Sequence, residues 1–477
     1  MLLIAAFAVW ILFIRGGDGR PEALQAAFAR TSAADLGRSE PFRWSRARDR
    51  EFLLRGRDGL AHPLYSLTRG GVERTASVMD RLTPFFERAG GRAGVDPGTL
   101  AAVVFVESGG RADLTEQPDS AKGRAGAAGL TPDVARRDLG LHVDLGQSSV
   151  LTKRIAKLTT LQGKAKDKAA AAKFDPELIE LRARRRKVDE RFEVTKAIDA
   201  GAQLLRKGQD ALGREDLAVA AYRLGIPAVK HLAAGYGKKA TYPQIYFESR
   251  PGGNLSTYPF LVEAGRQVLD LYQSDPAELY RLATLHGTKA GAEDVLRPPG
   301  SPPSYESHNA IADAYDHGEL VALPDDPARL GFEISSDPDA KRVFGNELHR
   351  GLRPAALATL IYIAGATRNL AGHDVTLELA GAVKPENQKQ MQASAIGSVG
   401  SAVANAAFVL PRKYVRPPES TGYSFELARG LPAKDQRSLD AVLERLQALD
   451  VIDVVRDGAA DRVTVGDRAA PLLQEVR

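Results

Sequence analysis

The sequence predicts a mainly α-helical domain followed by a smaller α+β domain, behind an N-terminal hydrophobic anchor. Three observations predict it. From about Gly71 to Tyr236 apolar residues recur at helical spacing, and strand-like alternation is almost absent. Beyond RPPGSPPS at 297–304 the character changes, and short alternating runs stand between helices. Residues 2–14, LLIAAFAVWILFI, carry no charge and are followed by Arg15. At 477 residues the chain is long for one core, so two or three domains are expected.

Taken in order, residues 1–15 read as a signal or anchor segment. As a helix the apolar run spans roughly 20 Å at about 1.5 Å per residue, short of a ~30 Å hydrocarbon core. No basic residue precedes it and no small-x-small cleavage site follows, which favours an uncleaved membrane anchor. Residues 16–70, rich in Arg, Gly and Ala, read as a juxtamembrane linker. Residues 71–236 form the mainly α domain, carried by TASVMDRLTPFFERAG, PGTLAAVVFVE, TKAIDAGAQLLRKGQDAL and EDLAVAAYRLG. A charged helical insertion at 151–190 interrupts it, with Pro176 suited to a first helical turn. Residues 237–305 add a helical extension and a linker. In 306–477, LVALPDD, HDVTLELAGAV, YSFELARG, DVIDVVRD and RVTVGD read as strands between the helices PAALATLIYIAGATRNL and RSLDAVLERLQAL.

The composition, 26% charged and 44% hydrophobic, is that of a globular chain rather than a disordered one. The net charge of +5 is unevenly spread: residues 152–191 hold thirteen Lys or Arg against six Asp or Glu, and the rest is close to neutral. That segment is either a solvated helical face or an attachment site for anionic polymer or lipid. With no cysteine, thiol catalysis, disulfides and cysteine-ligated zinc are excluded. Neither GxxxxGK[ST] nor GxGxxG after a strand occurs, and no nucleic-acid partner is indicated.

Glu107 raises the functional question. Asp96 and Pro97 read as N-cap and first-turn residue of a helix in which Leu100, Val103, Val104 and Glu107 share one stripe. A carboxylate there is paired, or desolvated so that its pKa rises, or placed where the stripe opens into a cleft. A buried ion pair with a nearby arginine and a functional acid both satisfy the pattern. The Ser108-Gly109-Gly110 that follows favours the acid.

Four pieces then line up: ESGGRADL at 107–114, SAKGRAGAAGLTPDVA at 120–135, AIDAGAQLLRKGQDALG at 197–213 and DLAVAAYRLGIPAVKHL at 216–232. In this order they resemble the soluble lytic transglycosylase catalytic domain, a lysozyme-like fold that cleaves peptidoglycan glycan strands. The resemblance covers about residues 75–236. It implies that Glu107 is the catalytic acid and then base, working without a second carboxylate and leaving a 1,6-anhydro end. It implies further that Ser108, Gly129, Leu130 and Tyr222 bind substrate, that no cofactor is needed, and that the protein works in the bacterial envelope outside the cytoplasm. A general acid is useful near neutral pH only where apolar surroundings keep it protonated. On that view Glu107→Gln abolishes cleavage and leaves the melting temperature unchanged or higher.

The chain departs from the family at cleft positions. Thr131 and Pro132 stand where the family has Met-Gln, and Arg223 and Leu224 where it has Asn-Ala. A saccharide-binding amide is thereby lost and a long cation gained. Asp113, Glu116 and Asp119 lie within a loop's reach of Glu107, either as the second carboxylate of an inverting hydrolase or as plain loop residues.

Near the C-terminus, GYSFEL at 422–427 resembles zinc-dependent D-Ala-D-Ala carboxypeptidases. Here Glu419 occupies the position three before Gly422, and Glu426 stands where the family has aspartate. The histidines are at 62, 142, 231, 286, 308, 317, 349 and 373, so none follows His373. The expectation is a peptidase-like module without metal. His373 and Asp374 read as a turn before VTLEL.

The primary expectation is an envelope-anchored lytic transglycosylase acting on peptidoglycan, supported by Glu107 and Tyr222. Its rival is a non-catalytic peptidoglycan-binding scaffold, supported by Pro132, Arg223 and Leu224. A third reading is a polymer-binding adaptor acting through the basic insertion.

Overall fold

A computed structural model describes residues 21–117, 120–251, 255–288, 304–385 and 418–476 of the chain. The apolar run 2–14, Asp119 and most of the expected linker at 297–304 lie outside the described residues. The molecule is mostly helical, with a smaller sheet-containing C-terminal region, as the periodicities predict. The N-terminal half carries α1 (Pro21–Arg30), α2 (Asp49–Leu67), α3 (Val72–Asp80), α4 (Thr83–Ala93) and α5 (Pro97–Ser108). There follow α6 (Leu145–Gly163), α7 (Asp175–Val188), α8 (Val194–Leu212), α9 (Glu215–Leu224), α10 (Ile226–Ala234), α11 (Tyr242–Glu248), α12 (Tyr258–Ser274) and α13 (Pro276–Thr288). The C-terminal region adds α14 (Pro354–Ala371) and α15 (Ala433–Ala448) beside β1 (Phe332–Ile334), β2 (Leu377–Gly381), β3 (Ser424–Ala428), β4 (Ile452–Asp457) and β5 (Ala460–Val465).

The sheet runs β1-β2-β3-β5-β4, with β1 parallel to β2 and the other neighbours antiparallel. Helix α14 is apolar on nearly every side and buried along most of its length, as a central core helix must be.

Two cores emerge, and they do not respect the expected domain boundaries. One joins α5, α8 and Tyr222 with α12, so the segment read as an extension packs against the helix that carries Glu107. The other gathers Phe28, Leu36, Phe42 and Phe52 with α14, α15 and the sheet. Residues 21–67 are therefore helical core and not a linker. Their apolar residues recur within an Arg-rich background; Phe28, Leu36 and Phe42 find partners in the C-terminal region, whereas α2 packs on α12, with Phe52 4.9 Å from Phe247. A pair of glycines lets the two segments approach closely: a Cβ on Gly365 would lie 1.8 Å from the Ala33 carbonyl oxygen, and one on Gly37 would lie 2.3 Å from the Gly365 carbonyl carbon.

The charged insertion forms an antiparallel pair, α6 and α7, with a small apolar seam of Leu151, Ile155 and Leu158 against Leu178 and Leu181. Its far end is less detached than composition predicts. Arg185, Asp189 and Arg191 are buried, the last two completely. Among the described residues, no helix is long and apolar enough to cross a membrane.

Candidate functional site

Helix α5 begins as expected: Asp96 caps it by accepting from the Thr99 amide at 2.8 Å, and Pro97 occupies the first turn. It ends at Gly109, whose φ of 62° closes the C-terminus. Glu107 thus lies in the last turn, where unpaired backbone carbonyls already present partial negative charge and disfavour an anion. Its side chain is only 1% exposed. A carboxylate in that position requires cations, and two arginines supply them.

Arg124 donates from Nη2 to Oε1 at 3.0 Å and from Nε to Oε2 at 3.2 Å. Arg223 adds an ion pair from Nη1 to Oε2 at 3.6 Å and reaches Glu116 with Nη2 at 3.7 Å. Arg223, the residue standing where the resembled family has Asn, therefore lies between the two carboxylates. Burial alone would lower the Arg124 pKa, but the Glu107 carboxylate, with the Tyr258 and Tyr222 phenols, raises it above the ordinary guanidinium value. The Arg124 guanidinium also sits 5.7 Å from the centre of the Tyr222 ring.

The remaining site residues of the sequence reading come together around the end of α5. Gly129 has φ +59°, and a Cβ there would meet Glu107 Oε2 at 2.1 Å, so only glycine permits this loop to close on the carboxylate. Ser108 is fully buried; its hydroxyl donates to the Ala127 carbonyl at 2.6 Å and accepts from the Gly110 amide at 3.1 Å. Both of these bonds are internal to the chain. Leu130 is 1% exposed and packs in the core. Tyr222 donates to the Ala128 carbonyl at 2.7 Å and is buried. Burial first, then the neighbouring Glu107 carboxylate, pushes its phenol far above the ordinary tyrosine value. Tyr258, stacked at 6.4 Å on Tyr222, is raised for the same two reasons.

Asp113 is turned away, pairing with Arg182 at 3.3 Å. The buried guanidinium of Arg191 ties this loop to the insertion. It pairs with Asp189 at 2.9 and 2.7 Å and donates to the carbonyls of Gly123 (3.1 Å), Leu130 (3.1 Å) and Ala121 (2.8 Å).

The GYSFEL segment of the C-terminal region carries a second charge cluster. Arg462 pairs with Glu419 at 2.5 Å and with Glu426 at 3.3 Å, and Lys384 reaches Glu426 at 3.4 Å. Burial raises Glu419, whereas Lys384 and Arg462 together outweigh burial at Glu426 and lower it. Among the described residues, no group of three or more His, Asp or Glu side chains is placed to hold a metal ion. His373 turns instead to Asp435, at 3.1 Å.

Arg124 and Tyr258 are the residues that sequence reasoning missed. The former lies within the GRAGAAGL segment, where a cation two residues before the turn Gly126–Gly129 was the available signal. No family model matches the chain, and neither does any curated protein or solved structure.

Proposed function

We propose that this chain is a non-catalytic, peptidoglycan-binding scaffold of the bacterial envelope, built on a transglycosylase-like arrangement whose acid site has become a structural ion pair. The observation that carries this reading is the pair of hydrogen bonds from Arg124 to both oxygens of Glu107. Both oxygens of the carboxylate are taken up by one guanidinium, so neither is presented to a leaving group. The cluster of Glu419, Glu426, Arg462 and Lys384 supports the same reading, because its carboxylates are likewise matched by cations of the chain.

The catalytic reading keeps one observation in its favour: Glu107, Gly129 and Tyr222, distant in sequence, converge at the end of α5. It requires Arg124 and Arg223 to leave the carboxylate when glycan binds. Purified sacculi incubated with the chain separate the two. The scaffold should sediment with the sacculi and release no 1,6-anhydro muropeptides by mass spectrometry. Anhydro products formed by the wild type and lost in Glu107→Gln would establish the enzyme instead, and failure to sediment would remove the glycan partner.

A further inference from the structure

Helix α6 has two faces. The inner one, Leu151, Ile155 and Leu158, is taken up by α7 and holds the helix in one rotation. The outer one carries Val150, Lys153, Lys157 and Leu161, spaced three to four residues apart and therefore aligned along one stripe, with Lys164 at the C-cap beyond them. Val150 is 69% exposed and Leu161 43%, among the most exposed large aliphatic side chains of the described residues. They cannot be covered by rolling the helix, because that would expose the inner seam. Arg154, on the flank, is paired with Glu177 at 2.7 Å, whereas Lys153, Lys157 and Lys164 have no acidic partner among the described residues.

We propose that this outer face of α6 docks on an anionic lipid surface. Unpaired lysines alone would fit any polyanion. Two exposed aliphatics between them are rewarded only where the partner offers an apolar layer beneath its negative charge, which is the structure of an anionic bilayer interface. Lysine stems are long enough to lie along that boundary while their ammonium groups stay among the headgroups. Residues 2–14 of the same chain are an uncharged apolar run, expected from the sequence as an anchor.

The chain contains no cysteine, so one can be introduced as a unique label site. Thr160→Cys lies on the docking face, and Lys238→Cys is an exposed control on another part of the molecule. Each full-length protein, carrying an environment-sensitive fluorophore, is mixed with vesicles of phosphatidylglycerol and phosphatidylcholine, or of phosphatidylcholine alone. The label at 160, and not that at 238, should shift to the blue with anionic vesicles, and the shift should fade as salt shortens the screening length below about 8 Å. K153E/K157E should weaken it by about tenfold or more, and V150S/L161S should abolish it although the charge is intact. Three outcomes overturn the proposal: V150S/L161S shifts like the parent; the label at 160 is silent while the chain sediments with vesicles; or soluble polyglutamate gives the same shift as the vesicles.

Discussion

Glu107 and Arg124 face each other side-on, each carboxylate oxygen accepting from a different nitrogen of one guanidinium, at 3.0 and 3.2 Å. The pair sits at the negative end of α5, and removing one partner leaves the other charge buried. Glu107→Gln should therefore destabilise the fold by ~3–5 kcal/mol, since a broken buried pair leaves an uncompensated ion. Arg124→Met should cost a similar amount, and the double variant should cost less than the sum. Denaturant unfolding of the three variants measures this. A Glu107→Gln protein as stable as its parent, or more so, would mean that the carboxylate is held at a cost, as functional acids are.

The insertion should divide into a dispensable tip and an indispensable root. Between 160 and 172 almost nothing is buried, so replacing that stretch by a short Gly/Ser linker should change stability by no more than about 1 kcal/mol. Replacing 152–190 removes Asp189 and leaves Arg191, which is fully buried, without its counter-charge. That protein should fail to fold, and Arg191→Met should lose ~3 kcal/mol or more. Wild-type stability after the larger replacement would refute the keystone role of Arg191.

What the sequence made legible follows from the range of each interaction. The cap and first turn of α5 are local, and both are where Asp96 and Pro97 put them, whereas burial extends to nearly every side of the helix rather than to one stripe. The strands of β2 to β5 were visible by alternation, but Phe332–Ile334 is too short to show any. Arg124 was hidden because no periodicity links a loop residue to a helix end. The helices of 21–67 were hidden for a different reason. Phe28, Leu36 and Phe42 pack on residues roughly three hundred positions away and Phe52 on Phe247, about two hundred away, and an Arg-rich composition alone reads as solvated.

That long-range packing has its own test. Because a Cβ on Gly365 would come within 1.8 Å of the Ala33 carbonyl oxygen, Gly365→Ala should push the short helix Ala33–Leu36 off α14. Overpacking of this kind costs typically ~1–3 kcal/mol. The expected signature is a lowered melting temperature together with new proteolytic cleavage between residues 31 and 48. Unchanged melting and unchanged cleavage would mean that the N-terminal segment does not rest on α14.

A last prediction concerns His62 on α2 and His286 on α13, whose Nδ1 atoms lie 3.0 Å apart, so that one ring must donate and the other accept. Tyr65 stacks on His286 at 4.6 Å. Burial depresses His62 to about 4; burial, then His62 and Arg281, depress His286 to about 3. In the unfolded chain both titrate near 6.5, so below that pH the unfolded state binds more protons than the folded one. Their contribution is fully present above pH ~6.5 and is lost as the pH falls toward about 4 for His62 and about 3 for His286. Asp450 acts in the opposite sense, because burial raises it to about 6 and its protonation favours the folded state on acidification. The histidine effect is therefore read as a difference, from urea unfolding at pH 7 and pH 4.5 of the wild type and of His62→Gln/His286→Gln. The wild type should lose on the order of 3–5 kcal/mol more than the double variant over this interval. Equal losses would show that the two imidazoles are solvated in the folded protein and that their pairing between α2 and α13 does not persist in solution.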